Sequence, residues 1–175
     1  LAAYAPPKLK WISTDRAVPM TMDELTLFGI AVLDGETKFM KETRQAGAAF
    51  ERKGQGIFKY TCGGAHLLQG IAYAVARGFG GPRARPEIEA QVDLLFYRFP
   101  IELKIYDATL QAAPQHKIKL LVQRLKFVGH FLESSAKLHA LGFYDPNQQQ
   151  LAMIKGAADQ LALVVQALRQ EGVFD

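Results

Sequence analysis

Ala65-His66-Leu67-Leu68-Gln69-Gly70-Ile71-Ala72-Tyr73-Ala74-Val75-Ala76-Arg77-Gly78-Phe79 decides the fold class. Wrapped at about 3.6 residues per turn, Leu67, Leu68, Ile71, Ala74, Val75 and Gly78 share one broad arc, the pattern of an amphipathic helix over Ala65 to Arg77. Gly78-Phe79 ends it: a glycine that can turn left-handed, then an apolar residue that folds back on the last turn. The same punctuation recurs at Gly142-Phe143 and Gly172-Val173. Three helix stops of one kind, and no sustained alternation of apolar residues between hairpin turns, predict an all-α protein. Only Gly56 to Tyr60 reads as a short extended stretch.

Upstream, Thr21-Met22-Asp23-Glu24 has the form of a capping box and opens a helix to about Leu33. Asp34-Gly35 predicts a break, followed by a second helical stretch to about Arg52 that Gly54 and Gly56 end. Downstream, Pro86-Glu87 opens a helix ending near Phe99-Pro100, because proline disfavours helical geometry in the residue before it. Ile101 to Ala113 is a further helix. Pro114 starts the longest element, with Ile118, Leu121, Val122, Leu125, Val128, Leu132 and Ala136 on one face to about Leu141. Asp145-Pro146 starts a last helix to about Glu171. The expected architecture is an all-α single domain of six or seven helices in an irregular bundle over residues 21–175, after an extended N-terminal arm over residues 1–20 anchored by Trp11. Gly29-Ile30-Ala31 echoes Gly70-Ile71-Ala72, as in a helix-pair array, but the spacing does not repeat further on.

Composition is that of an ordinary globular chain: 175 residues, 49% hydrophobic and 22% charged. A net charge of +4 and a pI near 9.2 lean toward acidic partners without requiring one. No uninterrupted apolar run approaches the roughly 18 residues of a spanning helix, so no transmembrane segment is expected. Leu1-Ala2-Ala3-Tyr4-Ala5 resembles the end of a signal peptide before Pro6-Pro7, which points to a secreted or periplasmic protein, with a cytoplasmic one as the alternative. The single cysteine excludes an internal disulfide.

That cysteine lies in Lys59-Tyr60-Thr61-Cys62-Gly63-Gly64-Ala65-His66, at the entrance to the helix. A thiol near a helix N-terminus and an imidazole is a candidate nucleophile, Cys62, with His66 as its base and the N–H groups of Gly63 and Gly64 able to hold an oxyanion. Cys62, His66, Gln69 and Tyr73 also form an i, i+4, i+7, i+11 stripe opposite the leucine face. With Tyr60, Gly63 and Gly64, it is the candidate lining of a ligand groove. The pair Cys62 and His66 has metal-ligand spacing, but zinc requires three or four ligands and no second pair follows, so no metal is assigned. His116, His130 and His139 are scattered; on the longest helix His139 falls on the apolar face, as a hydrogen-bonded core histidine, and His130 falls opposite. Lys117, Lys119, Arg124, Lys126 and Lys137 make that helix basic. Without interleaved aromatics this is not a nucleic-acid surface. No phosphate-loop, dinucleotide, zinc-protease or serine-hydrolase motif is present, and no cofactor is expected. The function expected is binding of a small molecule or a protein between helices; the alternatives are a Cys62/His66 acyl-transfer or thiol enzyme, and a scaffold that docks an acidic surface through its basic helix.

Overall fold

Thr21 begins the ordered helical part as the sequence predicts: its hydroxyl accepts from the Glu24 N–H at 3.2 Å, and the Glu24 carboxylate accepts from the Thr21 N–H at 2.7 Å. A computed structural model describes residues 4–6, 8–12 and 19–174. Leu1 to Ala3 and Pro7, part of the leader-like motif, lie outside the described residues. From Thr21 runs α1 (Met22–Gln45), followed by α2 (Ala65–Ala76), α3 (Ala84–Ala112), α4 (Lys117–Ala140) and α5 (Gln148–Gln170). Among the described residues there are five α-helices, fewer than the six or seven expected, because two of the predicted breaks are absent.

Asp34-Gly35 does not interrupt α1. A glycine inside a helix costs about 1 kcal/mol relative to alanine, and burial of Leu33, Thr37 and Met40 on the same side outweighs it. Pro100 likewise lies inside α3. Proline removes one helical hydrogen bond, but Phe96 and Phe99 before it are buried against Phe131 of α4, and Glu102 after it is buried and paired with Arg98 and Arg52, which holds the axis through it. The first helix ends at Gln45, not near Arg52, where Gly47 donates to the Arg44 carbonyl and Ala48 to the Thr43 carbonyl. The three stops predicted downstream have the same paired bonds: Phe79 to Ala74, Phe143 to Leu138 and Val173 to Leu168, each with the glycine donating one turn inside. Asn147, not Asp145, caps α5, accepting from the Gln150 N–H at 2.9 Å.

The arm holds a short antiparallel pair, β1 (Lys10–Ile12) and β2 (Pro19–Thr21), with Trp11 opposite Met20. Trp11 packs on Ala5, Met22, Ala74 and Phe79, so the predicted anchor is in place. Gly56–Lys59, read from the sequence as extended, is a 3-10 turn instead.

The main core gathers Leu33, Met40, Phe50, Ile57, Leu68, Ile71, Ile88, Val92, Phe99, Phe131 and Leu138 from α1 to α4 and the connection after α1. Gly29 and Ile71, one from each echoed triplet, meet at the α1–α2 crossing, where a Cβ on Gly29 would stand 3.0 Å from the Ile71 side chain. On α4 the most buried side chains are Leu121, Val128, Phe131, Ser134, Ser135 and Leu138. The face drawn from the sequence holds only two of them, because α4 packs on α2 and α3 as well as on α5. Over an 18-residue window of mean hydropathy 1.3, α5 is long and apolar enough to cross a membrane by length and composition, and only 17% of that window is buried. Leucines, valines and alanines carry that average, and Lys155 and Asp159 interrupt them, which is why a search for uninterrupted apolar runs passes over it.

Candidate functional site

The approach to α2 is a left-handed turn. Cys62 (φ 58°, ψ 23°), Gly63 (φ 55°, ψ 38°) and Gly64 (φ 75°, ψ 6°) succeed one another, and Cys62 is the one non-glycine residue with positive φ among the described residues. For a residue with a Cβ this region carries strain of order 1 kcal/mol or more, and such strain concentrates at functional sites. The turn is pinned from both sides. Arg98 on α3 donates from Nη1 to the Gly63 carbonyl at 2.7 Å. On the other side, a Cβ at Gly64 would fall 2.3 Å from Ile57 Cδ1. Only glycine fits there.

The turn separates Cys62 from the helix it was expected to begin. Cys62 stands three residues before α2, so the stripe of Cys62, His66, Gln69 and Tyr73 does not run down one helical face. Gln69 is buried, donating to Ser134 at 2.9 Å and accepting from Lys137 at 2.9 Å, while Tyr60 and Tyr73 are exposed. The Gly63 N–H is already engaged with the Tyr60 carbonyl at 3.0 Å, which removes one of the two donors of the expected oxyanion pair. These residues therefore do not line a single groove.

A different grouping forms in their place. The turn aims Cys62 back toward His66 in the first turn of α2, and α4 brings His130 to both. The cysteine sulfur and one nitrogen of each imidazole lie within 4.8 Å of one another. The two rings meet edge to face, centroids 4.7 Å apart and planes at 81°. Cys62 and His130 are half-buried and His66 is exposed. His130 Nδ1 lies 3.3 Å from Glu133 Oε2, one helical turn on. The Glu133 carboxyl is held below the usual carboxylate range by a hydrogen bond from Gln69 first and from His130 second, with the Lys137 ammonium adding to both, against some desolvation. His130 thus faces this site from the side of α4 opposite the leucines. His139, expected in the core, is more than half exposed, with Nδ1 3.0 Å from the Tyr144 carbonyl oxygen.

Cys62 stands between two cavities. The smaller one, about 40 Å³, is walled mostly by apolar side chains including Leu68, Leu94, Phe127 and Phe131. The larger one, about 230 Å³, is about half polar and lined by Arg52, Tyr60, Arg98, Glu102 and Lys126 among others. The Glu102 side chain, 1% exposed, accepts from Arg52 Nη1 at 3.3 Å and from Arg98 Nε. Of the basic residues on α4, Lys117 pairs with Glu171, Arg124 with Asp107 and Lys137 with Glu133. Family models, curated proteins and solved structures contain no match to this chain.

Proposed function

We propose that the protein binds a divalent metal ion of the zinc and copper class through Cys62, His66 and His130. The observation that carries this reading is the convergence within 4.8 Å of the thiol and imidazole at the start of α2 and a second imidazole brought by α4. Thiolate and imidazole together suit zinc and copper, not magnesium or calcium. In a tetrahedral site with metal–sulfur near 2.3 Å and metal–nitrogen near 2.0 Å, ligand atoms stand about 3.3–3.6 Å apart, which side-chain rotation on this scale reaches. Glu133 adds the supporting carboxylate that metal-bound histidines ordinarily have: with the His130 proton on Nδ1, donated to Glu133, the Nε2 lone pair is the ligand.

Three protein ligands leave a fourth position for water or a ligand, which is the arrangement of an exchangeable or catalytic metal and not of a closed structural one. A thiolate and two neutral imidazoles leave the bound ion a net charge of +1, so it remains a Lewis acid toward whatever fills that position. The smaller cavity, at about 40 Å³, has room for a water molecule or two and not for an organic ligand, which argues against the apolar-groove form of a binding function. The alternative of a Cys62 thiol enzyme draws on the same three residues, with either imidazole as base. It is weaker because the Gly63 N–H is already spent on Tyr60.

The test is the zinc stoichiometry of the purified full chain after equilibrium dialysis. One tightly held ion per chain, lost in Cys62→Ser and in His130→Ala, is expected. Zinc binding that both variants retain overturns the reading. Rapid thiol chemistry in the metal-free protein, with no metal bound, favours the enzyme.

A further inference from the structure

We infer that the larger cavity beside Cys62 receives the oxyanion of a small carboxylate or phosphate compound, next to one of the residues that would hold the metal; this rests on the metal reading above. The cavity is cationic by construction. Arg52, Arg98 and Lys126 line it against one carboxylate, Glu102, an excess of two positive charges around about 230 Å³.

The three cations differ in what they have left to give. Arg98 is committed: Nε donates to Glu102, Nη1 donates to the Gly63 carbonyl, and its side chain is 13% exposed. It holds the turn that carries Cys62. Arg52 is held but not exhausted. Nη1 donates to Glu102 at 3.3 Å and to Tyr106 Oη at 3.2 Å, and the guanidinium lies over the rings of Phe58 and Tyr106, 5.1 and 5.8 Å from their centroids. A guanidinium fixed this way keeps its remaining N–H groups in one orientation at little entropic cost, and that planar fork matches a carboxylate or phosphate edge. Lys126 has no ion pair among the described residues and supplies a mobile second charge. Tyr60, 40% exposed on the same wall, adds a hydroxyl.

Cys62 belongs both to the metal-ligating trio and to the wall of this cavity. An anion held by Arg52 and Lys126 therefore lies beside one of the residues that would hold the ion. Anion and metal then bind cooperatively, and about 230 Å³ has room for a phosphate or a short carboxylic acid.

The experiment uses the cobalt-loaded full chain. Visible absorption reports metal occupancy first, and inorganic phosphate and acetate are then titrated in separate arms. The expected result is a saturable change in the cobalt spectrum with at least one of them, the tighter arm naming the anion class. In Lys126→Gln, and separately in Arg52→Lys, which keeps the charge but loses the fork, anion affinity falls about fivefold or more while cobalt affinity is unchanged. A loaded cobalt site whose spectrum neither anion alters, or anion affinities equal in wild type and both variants, overturns the anion site and leaves the metal reading standing. Failure to load cobalt at all overturns both.

Discussion

His66 in the first turn of α2 and His130 in the middle of α4 meet edge to face with ring centroids 4.7 Å apart, the closest approach of two histidines from separate helices that the described residues contain. Two neutral imidazoles gain little from such contact, and two protonated ones repel. A shared metal ion converts the same geometry into an attraction by using both nitrogen lone pairs. Ligand protonation therefore opposes binding: metal affinity is expected to fall as the solution is acidified, and competition titrations against a chelating dye at stepped pH measure it. An affinity independent of pH between 5 and 8 would count against imidazole ligation.

Glu133 tunes His130 without touching the ion. Glu133→Gln is expected to weaken metal binding by about 10- to 100-fold and leave stoichiometry intact. It also removes a pH dependence of stability. The Glu133 carboxyl has a lowered pKa in the folded protein, so its stabilisation is present above its unfolded value of 4.5 and is lost as pH falls through the folded value. The gap in melting temperature between wild type and Glu133→Gln is expected to be larger at neutral pH than in acid. The carboxylate is about half exposed, so the gap is small at any pH.

Cys62 separates stability from function. In the metal-free protein, Cys62→Gly relieves the positive-φ strain and is expected to hold or slightly raise the melting temperature, while abolishing metal binding. Thermal unfolding in the presence of a chelator, beside a zinc titration, checks both halves. A large loss of stability would mean that the thiol is there to be packed.

Gly64 carries the turn. Its positive φ of 75° and the 2.3 Å approach to Ile57 leave no room for a methyl group, so Gly64→Ala is expected to cost about 2 kcal/mol or more and to displace Cys62. Urea unfolding gives the stability, and loss of zinc affinity gives the displacement.

Phe131 holds α4 where His130 needs it. Its ring stacks on Phe99 at a centroid distance of 3.9 Å and its side chain is 2% exposed. Phe131→Ala is expected to destabilise the protein by about 3–5 kcal/mol, measured by urea unfolding.

The helices that end by local rules were legible in the sequence. Gly78-Phe79, Gly142-Phe143 and Gly172-Val173 each need only one left-handed residue and one returning side chain, and both are visible in a few letters. Gly47 stops α1 in the same way but is followed by Ala48, too small to mark itself. Gly35 and Pro100 show the opposite: their local costs are real, yet burial from partners far along the chain outweighs them. The pair of Cys62 and His66 could be read from spacing. His130 could not, because a single apolar arc assigns one inward face to α4, while that helix has a second packed face whose partner is α2. Only the signal of a lone histidine on a supposedly wet face remained. The buried Ser134 one turn further on, bonded to Gln69, belongs to the same contact and was equally silent.

The most direct measurement is a cobalt titration of the metal-free full chain, followed by visible and near-ultraviolet absorption. The account predicts one equivalent bound in a tetrahedral field, with thiolate-to-cobalt charge transfer that disappears in Cys62→Ser and visible bands that change in His130→Ala. Octahedral cobalt with no charge-transfer band, or a spectrum identical in wild type and Cys62→Ser, would contradict it.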